Sequence, residues 1–169
     1  MENRLCVQLL PDWSDHSHEN PDGPPTYLRD TSADPGPLQV SWAWYESGEV
    51  PNPSDDDLIS LAIGVQKSFE SPQLNETRAG SCTIGRFGTA VFRCKDYGRV
   101  QAWYLSNGRD IITVTHIAGE DVDPIEVKEA QQIVEQLAIG RADNPPMQRA
   151  GAAGIFSGVR KWFGRGSGR

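Results

Sequence analysis

Residues 99–117 read RVQAWYLSNGRDIITVTHI. Asn107-Gly108 lies between two runs rich in β-branched and aromatic residues. That dipeptide is a strong hairpin signal, because a two-residue turn needs positive φ at both positions. A two-residue loop pairs Ser106 with Arg109, sets Trp103 opposite Ile112, Gln101 opposite Val114 and Tyr104 opposite Ile111. Upstream, residues 77–84 and 89–94 flank Gly85-Arg86-Phe87-Gly88, a second hairpin with a four-residue turn. Reading Lys95-Asp96-Tyr97-Gly98 as a four-residue loop aligns Ala90 with Trp103 and Phe92 with Gln101. One face then collects Ala90, Phe92, Trp103, Ile112 and Val114, and is the expected core face. The other collects Val91, Arg93, Val100, Ala102, Tyr104, Thr113 and Thr115, half-polar as a wet sheet face should be. Leu38, Val40, Trp42 and Trp44 alternate with Gln39, Ser41, Ala43 and Tyr45, a further strand whose two tryptophans are expected in the core. Residues 5–10 and 26–30 are weaker strand candidates.

Two helices are signalled. Ser54 precedes Asp55-Asp56-Asp57, so a hydroxyl caps while acids meet the positive helix end, and Ser54 and Asp57 have capping-box spacing. Leu58, Leu61, Ala62, Val65 and Phe69 form its apolar stripe, and Ser71-Pro72 ends it. The second helix starts at Asp123-Pro124, with Glu126 three residues after the cap. Val127, Ala130, Ile133, Val134 and Leu137 make its stripe, and Gly140 is a left-handed stop. The element order predicts an α+β fold: a twisted antiparallel sheet of about five to seven strands, with two helices packed on one face and a flexible C-terminal tail. Residues 1–140 are the expected globular domain, 141–154 a linker and 155–169 a basic amphipathic segment.

With 37% hydrophobic residues the chain has enough apolar material for a core. Charge is uneven: residues 1–140 carry 10 Lys/Arg against 22 Asp/Glu, a net of −12, and residues 141–169 carry 6 against 1, a net of +5. The acidic body argues against nucleic-acid binding, because phosphate contacts need a basic face. Cys6, Cys82 and Cys94 form neither a disulfide framework nor a zinc-site spacing. The N-terminus has no basic region followed by a long apolar one, and no apolar run is long enough to span a bilayer. The expectation is a cytoplasmic protein, peripheral to a membrane if its tail docks there. The Asn75-Glu76-Thr77 sequon is silent in that compartment.

Candidate chemistry is sparse. No nucleophile elbow, phosphate loop or dinucleotide fingerprint is present, so no catalytic residue and no cofactor is expected. His16 and His18 stand among carboxylates, a pattern that suits a divalent metal or a solvated Asx- and Pro-rich loop; without an obvious third nitrogen ligand, no metal is expected to be required. His116, placed opposite Arg99 by the expected register, reads as a structural sheet-end histidine. The tail is the most informative part. Ile155, Val159, Trp162 and Phe163 repeat at helical spacing, Phe156 borders them, and Arg160, Lys161 and Arg165 supply positive charge. Such a segment can lie in an anionic membrane interface, dock in a partner protein's groove, fold back on the acidic body or remain an inert end.

Leu10-Pro11-Asp12-Trp13-Ser14-Asp15, then a strand, a helix, a hairpin meander and a last helix from Pro124, resembles the PsbP-like fold group. That group includes Eag-type chaperones of type VI secretion effectors and the Ran-binding nuclear-import factor. The resemblance covers roughly residues 5–139; the Pro-rich insert 20–37 departs from it and the tail lies outside it. It implies a non-enzymatic binding or chaperone module. Two functional expectations follow: an accessory module docking through residues 155–165, or an immunity or chaperone protein that takes a basic partner on its acidic body.

Overall fold

The computed structural model describes residues 3–141. Its strands are β1 (Asn3–Cys6), β2 (Trp13–Asp15), β3 (Thr26–Arg29), β4 (Leu38–Ala43), β5 (Gln73–Ser81), β6 (Arg86–Cys94), β7 (Gly98–Ser106), β8 (Ile111–Ala118) and β9 (Ala138–Arg141). Helix α1 (Asp55–Gly64) lies between β4 and β5, and α2 (Pro124–Glu135) between β8 and β9. Seven strands form one antiparallel sheet in the order β2-β3-β4-β8-β7-β6-β5, while β1 and β9 pair antiparallel as a separate two-stranded ribbon. The α+β class, the antiparallel sheet and both helices match the reading of the sequence.

The turns move the registers. Ser106 pairs with Ile111, so the β7–β8 loop holds four residues rather than two. Asn107 is the cause. It keeps a negative φ, and its Oδ1 accepts from the backbone N–H of Arg109 (2.9 Å) and Asp110 (2.8 Å), closing an Asx turn. The shift is two residues, so side chains keep their faces: Trp103 now opposes Val114, and Leu105 opposes Ile112. The β6–β7 loop has the larger effect. Cys94 pairs with Gly98, leaving a three-residue loop at 95–97. Gly98 takes φ +72°, a conformation that shortens the turn and that side-chain-bearing residues rarely adopt. This one-residue slip turns β6 over, so Ala90 and Phe92 leave the Trp103 face and join Val100 and Ala102. The β5–β6 turn is four residues long but lies at 82–85, with Ser81 opposite Arg86.

The helices therefore pack on opposite faces of the sheet, where one face was expected to carry both. Helix α2 covers the face of Trp103, Leu105, Ile112 and Val114, to which β4 adds Leu38 and Val40. Helix α1 covers Ala90, Phe92, Val100, Ala102 and Ile117 through Ala62 and Val65. Both faces of the central strands are apolar, so each needs a cover. Gly88 lets α1 sit close: a Cβ there would lie 2.4 Å from the backbone of Leu58 and Ile59. Trp103 and Ile112 are fully buried on one face, but Trp42 and Trp44 are only half-buried along its margin.

The caps are divided in outcome. Ser54 and Asp57 form the expected reciprocal box, with Asp57 N–H donating to Ser54 Oγ and Ser54 N–H to Asp57 Oδ2. In α1's stripe Leu58, Ala62 and Val65 are buried, while Leu61 is exposed and Phe69 half-buried. Asp123 caps α2 through Ile125 N–H, but Glu126 turns inward instead of completing a box. Gly140 does not end a helix. Helix α2 stops at Glu135, and Gly140 lies in β9 opposite Arg4, where β1 takes its hydrogen-bonding partner.

Candidate functional site

The residues singled out as a docking segment, Ile155, Phe156, Val159, Arg160, Lys161, Trp162, Phe163 and Arg165, lie outside the described residues, as do residues 142–154. The described residues place the other candidates. His16 is held on both sides: its Nδ1 lies 2.7 Å from Glu19 Oε1, and its Nε2 2.9 Å from Ser14 Oγ and 3.3 Å from Asp30 Oδ1. The Glu19 hydrogen bond, seconded by Asp30, raises the pKa of His16 against partial burial. His18 stacks on that ring with centroids 6.1 Å apart. Among the described residues, no group of three or more His, Cys, Asp or Glu side chains is arranged to hold a metal ion. The arrangement fits an imidazole shared between two carboxylates.

His116 opposes Gln101, with Arg99 two places along and paired to Ala118. It is fully buried, and its Nε2 lies 2.9 Å from Oε1 of Glu126, itself fully buried. Glu126 also accepts from Ser32 Oγ at 2.5 Å and from Gly36 N–H at 2.8 Å. Burial pushes this carboxyl up, but the hydrogen bonds from His116, Ser32 and Gly36 outweigh it and hold the group below the usual carboxylate range. The carboxylate stands between Ser32 and His116. Their shared partner is an acceptor, so the array binds the 32–36 loop to α2 rather than activating the hydroxyl. Beside it, Arg29 Nε donates to Glu129 Oε2 at 2.7 Å, Trp13 Nε1 donates to the same oxygen at 2.9 Å, and Asp123 and Asp12 approach the guanidinium at 3.4 and 3.6 Å. The Glu129 hydrogen bond raises the Arg29 pKa further. These pairs tie β2 and β3 to the first turns of α2.

A cleft of about 290 Å³ opens on the α2 side of the sheet, between that helix and β5–β7. Its floor is polar. Arg99 Nη2 donates to Gln101 Oε1, Gln101 Nε2 donates to Thr89 Oγ1 (3.2 Å) and Gln131 Oε1 (3.4 Å), and Trp103 Nε1 fixes Gln131 Oε1 at 2.8 Å. Arg99 Nη1 is enclosed with no hydrogen-bond partner, and Arg99 makes no ion pair among the described residues. Burial lowers the pKa of Arg99, and the charge of Glu76 opposes that shift. Arg78 stands at the rim, 3.4 Å from Glu135 and 4.9 Å over the Phe87 ring, with Lys128 on the helix side. Reading the sequence missed this cleft because the slip at 95–97 misplaced β6. The available signal was Gln101, a polar residue sharing the face of Trp103 in a central strand.

No helix among the described residues is long and apolar enough to cross a membrane. No family model matches the chain, and no curated protein resembles it in sequence. Solved structures do resemble it in fold. LpqN of Mycobacterium tuberculosis, a protein involved in cell envelope biogenesis, superposes with a TM-score of 0.59 at 14% identity, over 83% of this chain and 85% of LpqN. The PsbP protein of the cyanobacterium Synechocystis (CyanoP) gives 0.50 at 11% identity, over 82% of this chain and 92% of its own. The architecture derived above from registers and packing is a PsbP-like fold.

Proposed function

We propose that the chain is a non-enzymatic accessory module whose body is the sheet of residues 3–141 and whose residues 155–165 dock to an anionic membrane surface or a partner protein. The observation that carries this reading is the contrast along the chain: a net of −12 in residues 1–140 against +5 in residues 141–169, where the cations interleave with Ile155, Phe156, Val159, Trp162 and Phe163. Burying each of those side chains contributes roughly 1.5–3 kcal/mol, against ordering costs of about 1–2 kcal/mol per residue. Arg160, Lys161 and Arg165 add about 1 kcal/mol each at an anionic surface. The fold shared with LpqN and the cyanobacterial PsbP protein supports an accessory role, and LpqN's part in cell envelope biogenesis supports work at an envelope surface. A second reading, escort or neutralisation of a basic partner in the manner of Eag-type chaperones, rests on the charge of the body alone.

Liposome co-sedimentation tests the proposal. The full chain is expected to pellet with vesicles containing anionic lipid, less so as salt rises, and the Trp162→Ala/Phe163→Ala variant and a chain ending at residue 146 are expected to stay in the supernatant. Recovery of all three in equal amount rejects membrane docking. Failure of the full chain to pellet at any lipid composition turns the reading to a protein partner.

A further inference from the structure

We propose that the cleft between α2 and strands β5–β7 binds a small organic monocarboxylate, with the Arg99 guanidinium taking the carboxylate and Val91, Val127 and Pro124 taking the hydrocarbon body. This reading does not depend on the tail.

The donor comes first. A guanidinium withdrawn from water is ordinarily paired with a carboxylate, because an uncompensated buried charge is strongly unfavourable. Arg99 is half-buried, its Nη1 is enclosed without an acceptor, and it makes no ion pair among the described residues, although the charge of Glu76 acts on it. One acceptor, Gln101 Oε1, leaves most of its five N–H donors unspent. The planar fork matches the two oxygens of a carboxylate. Partial burial lowers the Arg99 pKa, and the charge of Glu76 offsets only part of that shift.

The fork is also held in place. Gln101 is 6% exposed and anchored by Thr89 and Gln131, and Gln131 is anchored in turn by Trp103 in the core. A binding group fixed by such a supporting shell needs little reorganisation to receive a ligand.

The charge count selects a single negative charge. Arg78, Arg99 and Lys128 face Glu76 in the lining and Glu135 beside Arg78, three positive charges against two negative, a surplus of one in an otherwise acidic body. Glu76 at the rim disfavours a dianion, and no second deep cation is present in the lining to hold one. The volume, about 290 Å³, is at the lower end for small-molecule sites, so the ligand is small. The apolar residues of the lining suit a short aliphatic or aromatic body rather than a sugar or a phosphate ester.

The test is a titration of the ¹⁵N-labelled full chain with sodium benzoate, followed by amide chemical shifts. Saturable shifts are expected at Thr89, Val91, Arg99 and Gln131, and none with benzamide, which has the same shape without the charge. Arg99→Gln is expected to weaken benzoate at least about tenfold. Lys128→Gln, on the exposed side of α2, is expected to weaken it by about threefold without touching the core. Equal shifts from benzoate and benzamide overturn the proposal, as does undiminished benzoate affinity in a folded Arg99→Gln chain. Inorganic phosphate competing as well as benzoate also overturns it, in favour of a general anion site. If Arg99→Gln does not fold, the benzamide comparison and Lys128→Gln decide on their own.

Discussion

Glu126 accepts three hydrogen bonds while none of its surface is exposed, and its partners come from two separate parts of the chain, the 32–36 loop and β8. Removing the charge while keeping the shape, as in Glu126→Gln, strands at least one of those donors or sets two donors against each other. An unsatisfied buried group next to a formerly charged partner costs about 2–3 kcal/mol. Urea unfolding at pH 7 is expected to show that loss. The pH dependence has a defined sign. The folded pKa of Glu126 is lowered, so its contribution is fully present above the ordinary value of 4.5 and is lost as pH falls through the folded value. The acid limb of the stability curve is therefore expected to be shallower in Glu126→Gln than in the parent, and identical limbs would contradict the assignment. Nothing in the sequence pattern announced this role. Spacing from Asp123 assigned Glu126 to the helix cap, and only the 32–36 loop, folded against α2 from far along the chain, shows why the side chain turns inward.

Elements were legible to the extent that each is specified by its neighbours in sequence. Ser54 and Asp57 lie three apart, and their box formed; the stripes of α1 and α2 supplied most of their buried residues. Pairings between elements depend on turn geometry, and there one residue was decisive. The loop at 95–97 closes through the left-handed Gly98, β6 turns over, and α1 is left covering a face of its own. Strands with both faces apolar give no warning of such a slip, because either orientation buries side chains. Gly88 offers a direct check. Its missing side chain is what admits α1, so Gly88→Ala is expected to lose roughly 1–3 kcal/mol through forced displacement of the helix. A neutral result in chemical denaturation would mean that α1 does not rest on β6.

At the scale of the molecule, twelve uncompensated negative charges in residues 1–140 repel one another across a small body. The exposed ion pairs that oppose this, such as Arg78–Glu135 and Arg86–Asp55, are long and weak. Screening should relieve more repulsion than attraction. The melting temperature of the full chain is therefore expected to rise as sodium chloride is raised from about 20 mM to about 300 mM, where the Debye length falls well below the body's diameter. A fall over that range would mean that the ion pairs outweigh the repulsion. Beneath this field, β5 forms one end of the seven-stranded sheet, and among the described residues its outer edge has no partner. The outward-pointing backbone donors and acceptors on alternate residues of this nine-residue strand invite the same strand of another molecule, the first step of fibril growth. Two features stand against it. The register break between Leu74 and Glu76 bends the strand out of line, and the opposite charges of Glu76 and Arg78 would have to be desolvated side by side before a second copy could settle there. The same two residues rim the cleft, so a change that made the cleft greasier would also unlock the edge.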